Sequence, residues 1–432
     1  MTPLDPDKQR QFAVEVVQTL REQGFETYWA GGCVRDQLIG RPPKDYDVAT
    51  TATPDEIRSV FGRRRTVPVG AQFGVITVVG PRRAGQIEVA TFRRDVTYSD
   101  GRHPDAVEFS TPEADAHRRD FTINGLFYDP VEERVVDYVG GVNDLGRGVV
   151  RAIGEPRARF EEDKLRLLRA VRFTATFDFA LDVATREAVE AMAGEIRVVS
   201  AERIAAEMRL MLVHRSRATA IDLMRDVGLL SVILPELSMA NEAGVKTPVG
   251  RPADQAWLAA LETLDALHEP GFPLALAGLL HPFADVRGAA EICRRWKLSN
   301  AESRRTCWLL ESQAALRGAS ALRWSQLQPL LVSDGIEDLI ALHEALAVVA
   351  GESNDDAEYC RAKLTLPPEE LDPAPLLGGD DLIAHGVPRG KQYQKLLGAV
   401  RRAQLDGEVT SKTEALGLVD RLRAKAEGKS NE

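Results

Sequence analysis

The chain has 432 residues, of which 44% are hydrophobic and 28% charged, a composition typical of a globular protein with two or three domains. No apolar run approaches the length of a membrane span, which argues against an integral membrane protein. The net charge is −10 and the isoelectric point about 5.4, so bulk positive charge does not indicate nucleic-acid binding. Arginine is nevertheless clustered locally, and such clusters predict an anion-binding groove on an acidic chain.

The cysteines and the N-terminus bear on cellular location. The four cysteines are scattered and form no CxxC pair, which argues against a zinc site or a disulfide framework and is typical of the reducing cytosol. Residues 1–11 are polar and mixed in charge, unlike a secretory signal peptide. We therefore expect a cytoplasmic protein without a membrane partner. These features leave the oligomeric state open.

The first 150 residues predict a mixed α/β domain. A helical period from Phe12 to Leu20 predicts a helix over 7–23, which Gly24 ends. A strand, a Gly-Gly turn and a second helix follow. Short apolar segments bounded by glycine or proline predict strands at 26–29, 46–49, 74–79 and 86–91.

From about residue 157 onward, the pattern is helical. Amphipathic periods predict helices at 161–173, 185–193, 201–213 and 218–227, and more helices follow to the end of the chain. Breaks rich in glycine, proline and acidic residues separate the later helices. The predicted domains are a head (1–150), a neck (151–235), a body (236–355) and a tail (356–432).

The Gly-Gly turn before the second helix is the first candidate binding element. Glycine has no Cβ, so the backbone N–H groups at Gly31 and Gly32 can approach phosphate oxygens closely. Arg35 lies on the first turn of the helix that follows and can bind a triphosphate oxygen.

Two aspartates follow about a dozen residues later. Asp45 and Asp47 are spaced i, i+2, which on a strand places both carboxylates on one face. Such a pair is repulsive unless a cation lies between its members, and oxygen ligands of this kind suit Mg²⁺. Glu88, between Ile87 and Val89 on a predicted strand, is the candidate for a third carboxylate, and a solvated strand face is the alternative.

Two further segments concentrate arginine beside carboxylates. At 118–124 (RRDFTIN), adjacent arginines precede a carboxylate and an amide, which offer contacts to phosphate and ribose. The 161–173 segment predicts a single helix, and three arginines on one broad face of a helix repel each other unless an anion neutralises them. A solvated helix with acid–arginine pairs is the alternative. The polar residues of this face recur every three positions: Asp163, Arg166, Arg169 and Arg172.

Together these segments resemble the class II CCA-adding enzymes and bacterial poly(A) polymerases of the polymerase-β-like nucleotidyltransferase superfamily. The family pattern Gly-Gly-x-Val-Arg-Asp-x-Leu-x-Gly followed by Asp-x-Asp is matched within 31–47, and Arg-Arg-Asp-Phe-Thr-x-Asn by 118–124. Asp-x-x-Gly-Gly-x-x-Asp-Leu is matched by 137–145 and Glu-Asp-x-x-Arg-x-x-Arg-x-x-Arg-Phe by 162–173. The resemblance implies an α+β fold: a polymerase-β-like nucleotidyltransferase head with a small mixed sheet, then an all-helical neck, body and tail.

The resemblance also implies a role for each matched residue. Asp45 and Asp47 would hold catalytic Mg²⁺, with Glu88 as a further candidate catalytic residue. Asp163 and Arg166 would read the base. The other matched residues would bind the rest of the nucleotide: Gly32, Arg35 and Arg119 the triphosphate, Asp120 and Asn124 the ribose side, and Arg169 and Arg172 phosphate or the base-reading helix itself.

The implied reaction is template-independent addition of CCA to the 3′ end of tRNA from CTP and ATP, with release of pyrophosphate. An enzyme that adds only A, one that adds only CC, and a poly(A) polymerase share this site. The segment 93–110 resembles the family's flexible loop and favours addition of A as well as C, and 376–381 resembles CCA-adding relatives. A non-catalytic RNA-binding protein on the same scaffold is the alternative from another class, which the complete Asp45/Asp47 pair disfavours.

Overall fold

The computed structural model describes residues 4–95, 107–238, 246–250, 252–390 and 392–428. Residues 96–106, the middle of the loop predicted at 93–110, lie outside the described residues. The chain divides into two compact units, unit 1 (Met1–Ser238) and unit 2 (Met239–Glu432).

Unit 1 contains all the strands of the described residues. In chain order these are β1 (Thr27–Ala30), β2 (Asp47–Thr50), β3 (Thr66–Val67), β4 (Val75–Val79), β5 (Gln86–Thr91), β6 (Arg93–Asp95), β7 (Val107–Phe109), β8 (Phe127–Asp129), β9 (Arg134–Val136), β10 (Val149–Val150) and β11 (Ala180–Leu181). Seven of them form a mixed sheet in the order β3-β4-β5-β2-β1-β8-β9. Of the described pairs in this sheet, β2 and β5 run parallel and the others antiparallel. The pairs β6–β7 and β10–β11 are separate ribbons.

The helices of unit 1 cover the sheet and then continue beyond it. They are α1 (Pro6–Glu22), α2 (Gly32–Leu38), α3 (Pro54–Phe61), α4 (Pro112–His117), α5 (Gly141–Arg147), α6 (Pro156–Glu162), α7 (Leu165–Phe177), α8 (Val183–Met192), α9 (Ala201–Leu212), α10 (Arg217–Asp226), α11 (Leu229–Ile233) and α12 (Pro235–Ser238). α1 begins where the Asp5 side chain accepts from the Lys8 N–H, and α3 begins with a Thr53/Glu56 capping box.

The two faces of the sheet carry different neighbours. The Trp29 indole of β1 donates to the Ala13 carbonyl of α1, which places α1 on the Trp29 face. Tyr28 and Ala30 point to the opposite face, where they form a buried cluster with Ala116 of α4. Ala49 of β2 belongs to the same cluster, so Asp47, two residues earlier on that strand, also points to the α4 face.

The fold class predicted from the sequence is confirmed, and most element ends differ by one or two residues. The strand predicted at 46–49 begins at Asp47, so Asp45 lies in a bend before β2 and not on the strand. The alternation of side chains along a strand therefore does not apply to the pair, because Asp45 lies outside the strand.

The single helix predicted at 161–173 is also wrong. α6 ends at Glu162, Asp163 has an extended backbone (φ −151°, ψ 106°), and α7 begins at Leu165. The Asp163 carboxylate accepts from the Leu165 N–H at 3.0 Å and so competes with the helical hydrogen bond at this position. The break separates Asp163 from the arginines of α7.

Unit 2 is helical throughout its described residues. Its helices are α13 (Ala253–Ala266), α14 (Phe272–Leu280), α15 (Val286–Arg295), α16 (Asn300–Ser312), α17 (Trp324–Leu331), α18 (Ile336–Ala350), α19 (Asp355–Leu364), α20 (Pro368–Leu371), α21 (Gly379–Ala384), α22 (Gln392–Leu405) and α23 (Lys412–Gly428). The last three share a small core that includes Leu382, Val400 and Val419. Among the helices described in either unit, none has the length and apolarity needed to cross a bilayer.

Candidate active site

A cavity of about 470 Å³ opens in unit 1 between the sheet and α7. Six arginines and three aspartates line it, so positive charge predominates. Its lining residues are Gly31, Gly32, Arg35, Asp47, Arg118, Arg119, Asp120, Asn124, Asp163, Arg166, Arg169, Arg172 and Phe173.

At the Gly-Gly turn, the glycine at position 31 lets Arg119 approach the backbone closely, whereas a Cβ at Gly32 would make only ordinary van der Waals contact with Arg35. Gly31 has φ +73°, a conformation that other residues rarely adopt, and a Cβ at this position would lie 2.8 Å from Arg119 Nη1. A Cβ on Gly32 would lie 3.6 Å from Arg35 Nη2. A side chain at Gly31 would therefore displace Arg119 from the cavity.

The guanidinium groups of these two arginines are held in place by hydrogen bonds to neighbouring residues. Arg35 Nη1 donates to Asn124 Oδ1 at 2.6 Å, and its Nε and Nη2 donate to Asp36 Oδ1 at 2.9 and 2.7 Å. Arg119 Nε and Nη2 donate to Asp115 Oδ2 at 3.3 and 3.0 Å, and Nη1 donates to the Asn124 carbonyl at 3.4 Å. A guanidinium has five N–H groups. Each arginine therefore keeps two N–H groups for a ligand after its described partners are counted.

Three carboxylates lie near the N-terminal end of β2, and we call them the carboxylate edge (Asp45, Asp47 and Glu88). Asp47 of β2 is in register with Glu88 of β5, so both side chains point to the same face of the sheet. Asp47 is solvent-accessible, yet reduced solvation of its carboxyl in the concave floor raises its pKa to about 6. Repulsion from Asp45 and then Glu88 adds to this increase, while Arg119 opposes it.

The charge of the carboxylate edge suits a divalent cation. Neighbouring carboxylates that repel one another are stabilised when a cation binds between them, and carboxylate oxygens are ligands that Mg²⁺ prefers. In the described residues, no group of three or more His, Cys, Asp or Glu side chains is close enough to form a complete metal site. Asp47 lines the cavity, whereas Asp45 and Glu88 lie beside it.

Asp120 differs from Asp47, because it is buried among hydrogen-bond donors and its pKa is lowered. It accepts from Asn124 Nδ2 at 3.0 Å and from Arg169 Nε at 2.8 Å. Burial is the largest influence and would raise the pKa of Asp120, but Arg169, Asn124 and Arg166 outweigh it and hold the pKa at about 2. Asp120 therefore stays ionised and fixes both Asn124 and Arg169.

Asp163 keeps one acceptor position toward the cavity. Arg203 Nη1 and Nη2 donate to Asp163 Oδ1 and Oδ2 at 3.0 and 2.7 Å, and Oδ1 also accepts from the Leu165 N–H. A carboxylate has about four acceptor positions, two on each oxygen. One position on Oδ2 therefore remains after the described donors are counted.

Arg166 is fixed beside Asp163 and keeps donors. Its Nη1 donates to the Arg159 carbonyl at 2.8 Å and to Glu162 Oε2 at 2.6 Å, and its Nη2 donates to the Arg118 carbonyl at 3.1 Å. The Nε–H and one Nη2 N–H remain after these described acceptors are counted. The pair thus offers one acceptor and two donors side by side.

Glu207 of α9 lies beside the other two arginines of α7 and adds to the pairing of Arg169 with Asp120. Arg172 Nε donates to Glu207 Oε2 at 2.6 Å, and Arg169 Nη1 lies 3.6 Å from Glu207 Oε1. Glu207 is buried, so this carboxylate removes much of the repulsion within the arginine row. Among the described acceptors, Arg172 uses only Nε, which leaves its Nη groups for a phosphate.

Comparison with known proteins identifies the family. Residues 27–151 match the family described as the poly A polymerase head domain, and 178–240 match a probable RNA and SrmB-binding site of polymerase A. The CCA-adding enzyme of Geobacillus thermodenitrificans is 33% identical, over 96% of this chain and 97% of that protein. The chain belongs to the CCA-adding enzyme family.

Two other relatives place the chain within this family. The crystal structure of the Bacillus stearothermophilus CCA-adding enzyme in complex with CTP has a TM-score of 0.76 and 28% identity, and covers 97% of this chain and 99% of that one. Poly(A) polymerase I of Haemophilus influenzae is 37% identical, but over 52% of each chain. Similarity to CCA-adding enzymes thus extends over the whole chain, whereas this similarity to a poly(A) polymerase covers half of it.

In this member of the CCA-adding enzyme family, most of the site residues predicted from the sequence line the cavity. Asp45 and Glu88 lie beside the cavity and not in its lining. The predicted residues in the lining are Gly32, Arg35, Asp47, Arg119, Asp120, Asn124, Asp163, Arg166, Arg169 and Arg172.

The sequence reasoning missed three acid and arginine partners of these residues. Asp115 is 1% exposed and binds both Arg118 and Arg119, at 2.7 and 3.0 Å. Its spacing of three and four residues before those arginines on α4 was a readable signal. Arg203 and Glu207 are one turn apart on α9, but their partners lie 40 and 35 residues away, so the sequence alone does not reveal the pairs.

Proposed function

We propose that this chain adds CCA to the 3′ end of tRNA from CTP and ATP without a nucleic-acid template. The observation that supports this best is the Asp163/Arg166 pair, which offers one free acceptor beside two free donors. Cytosine and adenine both present an exocyclic amine next to an unprotonated ring nitrogen. Asp163 accepts from the amine and Arg166 donates to the ring nitrogen.

The same pair rejects uracil and guanine. Both bases present a carbonyl where Asp163 needs a donor and an N–H where Arg166 needs an acceptor. Binding either base would leave polar groups of a partly buried pair without partners, which costs about 1–3 kcal/mol per group. Protein side chains therefore do the work that a template strand does in other polymerases.

In the reaction, the 3′-hydroxyl of the RNA loses its proton to solvent and its oxygen forms a bond to the α-phosphorus. The bond from the α-phosphorus to the oxygen that bridges it to the β-phosphate breaks, which releases pyrophosphate. Arg35 and Arg119 bind the triphosphate with their remaining N–H groups, and the Gly31–Gly32 turn admits it. Asp45 and Asp47 would hold Mg²⁺, with Glu88 as the adjacent carboxylate. When bound there, Mg²⁺ would supply Lewis-acid chemistry for the attacking hydroxyl and the leaving pyrophosphate.

The remaining assignments complete the proposal. Asp120 and Asn124 support the ribose side, and Arg169 and Arg172 supply phosphate contacts or brace α7. We assign residues 1–150 to a catalytic head, 151–235 to a base-reading neck, and 236–355 and 356–432 to a body and tail that bind tRNA by shape. The four free cysteines accord with a cytoplasmic location.

The first test is extension of tRNA transcripts that end at the discriminator base, at C or at CC. Each transcript is incubated with the protein and Mg²⁺, and with CTP alone, ATP alone, both, or UTP and GTP. We expect two additions from CTP alone on the shortest transcript and three from the mixture. Additions from UTP or GTP at the rate of CTP would contradict the base-reading assignment.

Other outcomes identify the alternatives. Addition of A only to the CC-ended transcript marks an A-adding enzyme, and two additions that ATP does not extend mark a CC-adding enzyme. Long adenosine tails on any RNA mark a poly(A) polymerase, and no addition at all marks a non-catalytic RNA-binding protein. Arg166→Ala should abolish selection of C over U, while Arg157→Ala, an exposed arginine on the preceding helix, serves as its matched control.

A further inference from the structure

The C-terminal end of α7 places an aromatic ring against Arg35. The Arg35 Cζ lies 4.4 Å from the ring centroid of Phe177 and 5.4 Å from that of Phe173. The two rings are stacked, with centroids 6.0 Å apart and planes inclined by 15°. Arg41 lies over Phe177 as well, at 5.2 Å. Phe177 therefore contacts two guanidinium groups at once.

This ring restrains Arg35 in a direction that the hydrogen bonds do not. Asp36 and Asn124 contact the N–H edge of the Arg35 guanidinium and so limit its movement within its own plane. An aromatic face beneath a guanidinium opposes tilting out of the plane, by electrostatic attraction and by stacking. The contact is strong here because Arg35 and Phe177 are each 8% exposed, so water screens it little.

Phe177 acts on the cavity only through other residues. Phe173 lines the cavity, whereas Phe177 is absent from its described lining. Phe177 is also the last residue of α7, the helix that begins two residues after Asp163 and carries Arg166 on its first turn. At 1.5 Å per residue, this helix spans roughly 18–20 Å between its two ends.

We propose that Phe177 is a positioning residue that holds the Arg35 guanidinium in place for the triphosphate and so ties triphosphate binding to the base-reading helix. This inference rests on the proposed function, because it takes Arg35 as a triphosphate ligand. The helix α7 then carries the base-reading Arg166 on its first turn and Phe177, which positions Arg35, at its last residue.

The test compares Phe177→Leu and Phe177→Met, which remove the ring, with Phe177→Tyr, which keeps it. Phe179→Leu is the matched control, because its ring packs on Phe177 with centroids 5.6 Å apart, yet none of the described arginines lies over it. For each full-length protein, titration calorimetry gives the Kd of inorganic tripolyphosphate and of CTP. Nucleotide incorporation gives KM and kcat, and thermal unfolding gives Tm.

We expect both ring-removing variants to raise the tripolyphosphate Kd and the CTP KM about five- to tenfold, with kcat within about twofold of the original protein. Phe177→Tyr and Phe179→Leu should stay within about twofold in both quantities. A lowered Tm with unchanged Kd and KM would make Phe177 a core residue only, and an equal loss in Phe179→Leu would overturn the proposal as well.

Failure of this inference is distinguishable from failure of the proposed function. If the unchanged protein extends tRNA but Phe177→Leu binds tripolyphosphate equally well, only the positioning role is wrong. If the unchanged protein adds no nucleotide, the proposed function is wrong, and the tripolyphosphate titration still decides whether Phe177 supports anion binding at Arg35.

Discussion

The carboxylate edge and the α7 side of the cavity shift the pKa of an aspartate in opposite directions. At the edge, reduced solvation and then repulsion from Asp45 and Glu88 raise the pKa of Asp47 to about 6. On the α7 side, burial alone would raise the pKa of Asp120, but Arg169 and Asn124 hold it at about 2. Asp120 is thus ion-paired with Arg169, whereas none of the described ion pairs involves Asp47.

This difference in environment predicts a different contribution of each carboxylate to the stability of the fold. A carboxylate whose charge is repelled by its neighbours more than it is attracted by them destabilises the unliganded fold slightly, and a bound cation would make it favourable. A carboxylate that forms a buried ion pair with an arginine stabilises the fold, and its removal leaves the positive charge of that arginine without its partner. The same substitution, aspartate to asparagine, should therefore have opposite effects on stability in the two places.

The largest expected effect is on activity at the carboxylate edge. Asp47→Asn removes a proposed metal ligand, so we expect nucleotide incorporation to fall by about 10³-fold or more, which corresponds to roughly 4 kcal/mol of transition-state stabilisation. The free energy of unfolding should stay unchanged or rise, because one repelling charge is lost. Incorporation kinetics and denaturant unfolding check this, with Glu22→Gln, an exposed acid on α1, as the control. Retention of a tenth of the original turnover would remove Asp47 from the catalytic assignment.

The next effect is on stability at the α7 side. Asp120→Asn leaves Arg169 with Glu207 at 3.6 Å as its remaining described carboxylate, so we expect a loss of about 2–4 kcal/mol in the free energy of unfolding at pH 7. Denaturant titrations measure this loss. If Asp47→Asn and Asp120→Asn destabilise the protein equally, the contrast between the two sides does not hold.

The pH dependence of the Asp120 effect follows from the direction of its pKa shift. The folded pKa of Asp120, about 2, lies below its usual value of 3.8, so the ionised carboxylate stabilises the folded state more than the unfolded one. That contribution is fully present above about pH 4 and is lost as the pH falls toward 2. The stability deficit of Asp120→Asn should therefore be constant from pH 7 to pH 5 and shrink below pH 4.

A smaller effect is expected on base selection. Arg203 binds both oxygens of Asp163, and lysine cannot reproduce this two-point contact. Arg203→Lys should let Asp163 turn, and we expect the preference for CTP over UTP to fall about tenfold. Competition between the two nucleotides measures the ratio. Arg186→Lys, in an exposed ion pair with Glu190, is the control and should leave the ratio unchanged. An unaltered ratio in Arg203→Lys would mean that Leu165 alone orients Asp163.

Local patterns predicted the elements and the arginine-rich motifs, because periodicity and turn residues act over a few positions. The alternation around Glu88 gave its correct face, since Ile87 and Val89 are buried and Glu88 is exposed. The break at Asp163 could not be found in this way, because the spacing of the arginines continues a helical period through it. At the break, Asp163 accepts from the Leu165 N–H and also pairs with Arg203, which lies 40 residues along the chain.

The smallest effect on the free energy of unfolding is expected at an arginine–carboxylate pair that is exposed to solvent. Arg94 Nε donates to Glu108 Oε2 at 2.7 Å on the β6–β7 ribbon, close to the 2.8 Å of Arg169 Nε to Asp120 Oδ2. The side chains of Arg94 and Glu108 are 65% and 51% exposed, so solvent and salt screen their attraction. Glu108→Gln should therefore change the free energy of unfolding by less than about 0.5 kcal/mol, and less still in 1 M salt. A loss comparable to that of Asp120→Asn would mean that hydrogen-bond length, and not burial, decides how much an arginine–carboxylate pair stabilises this protein.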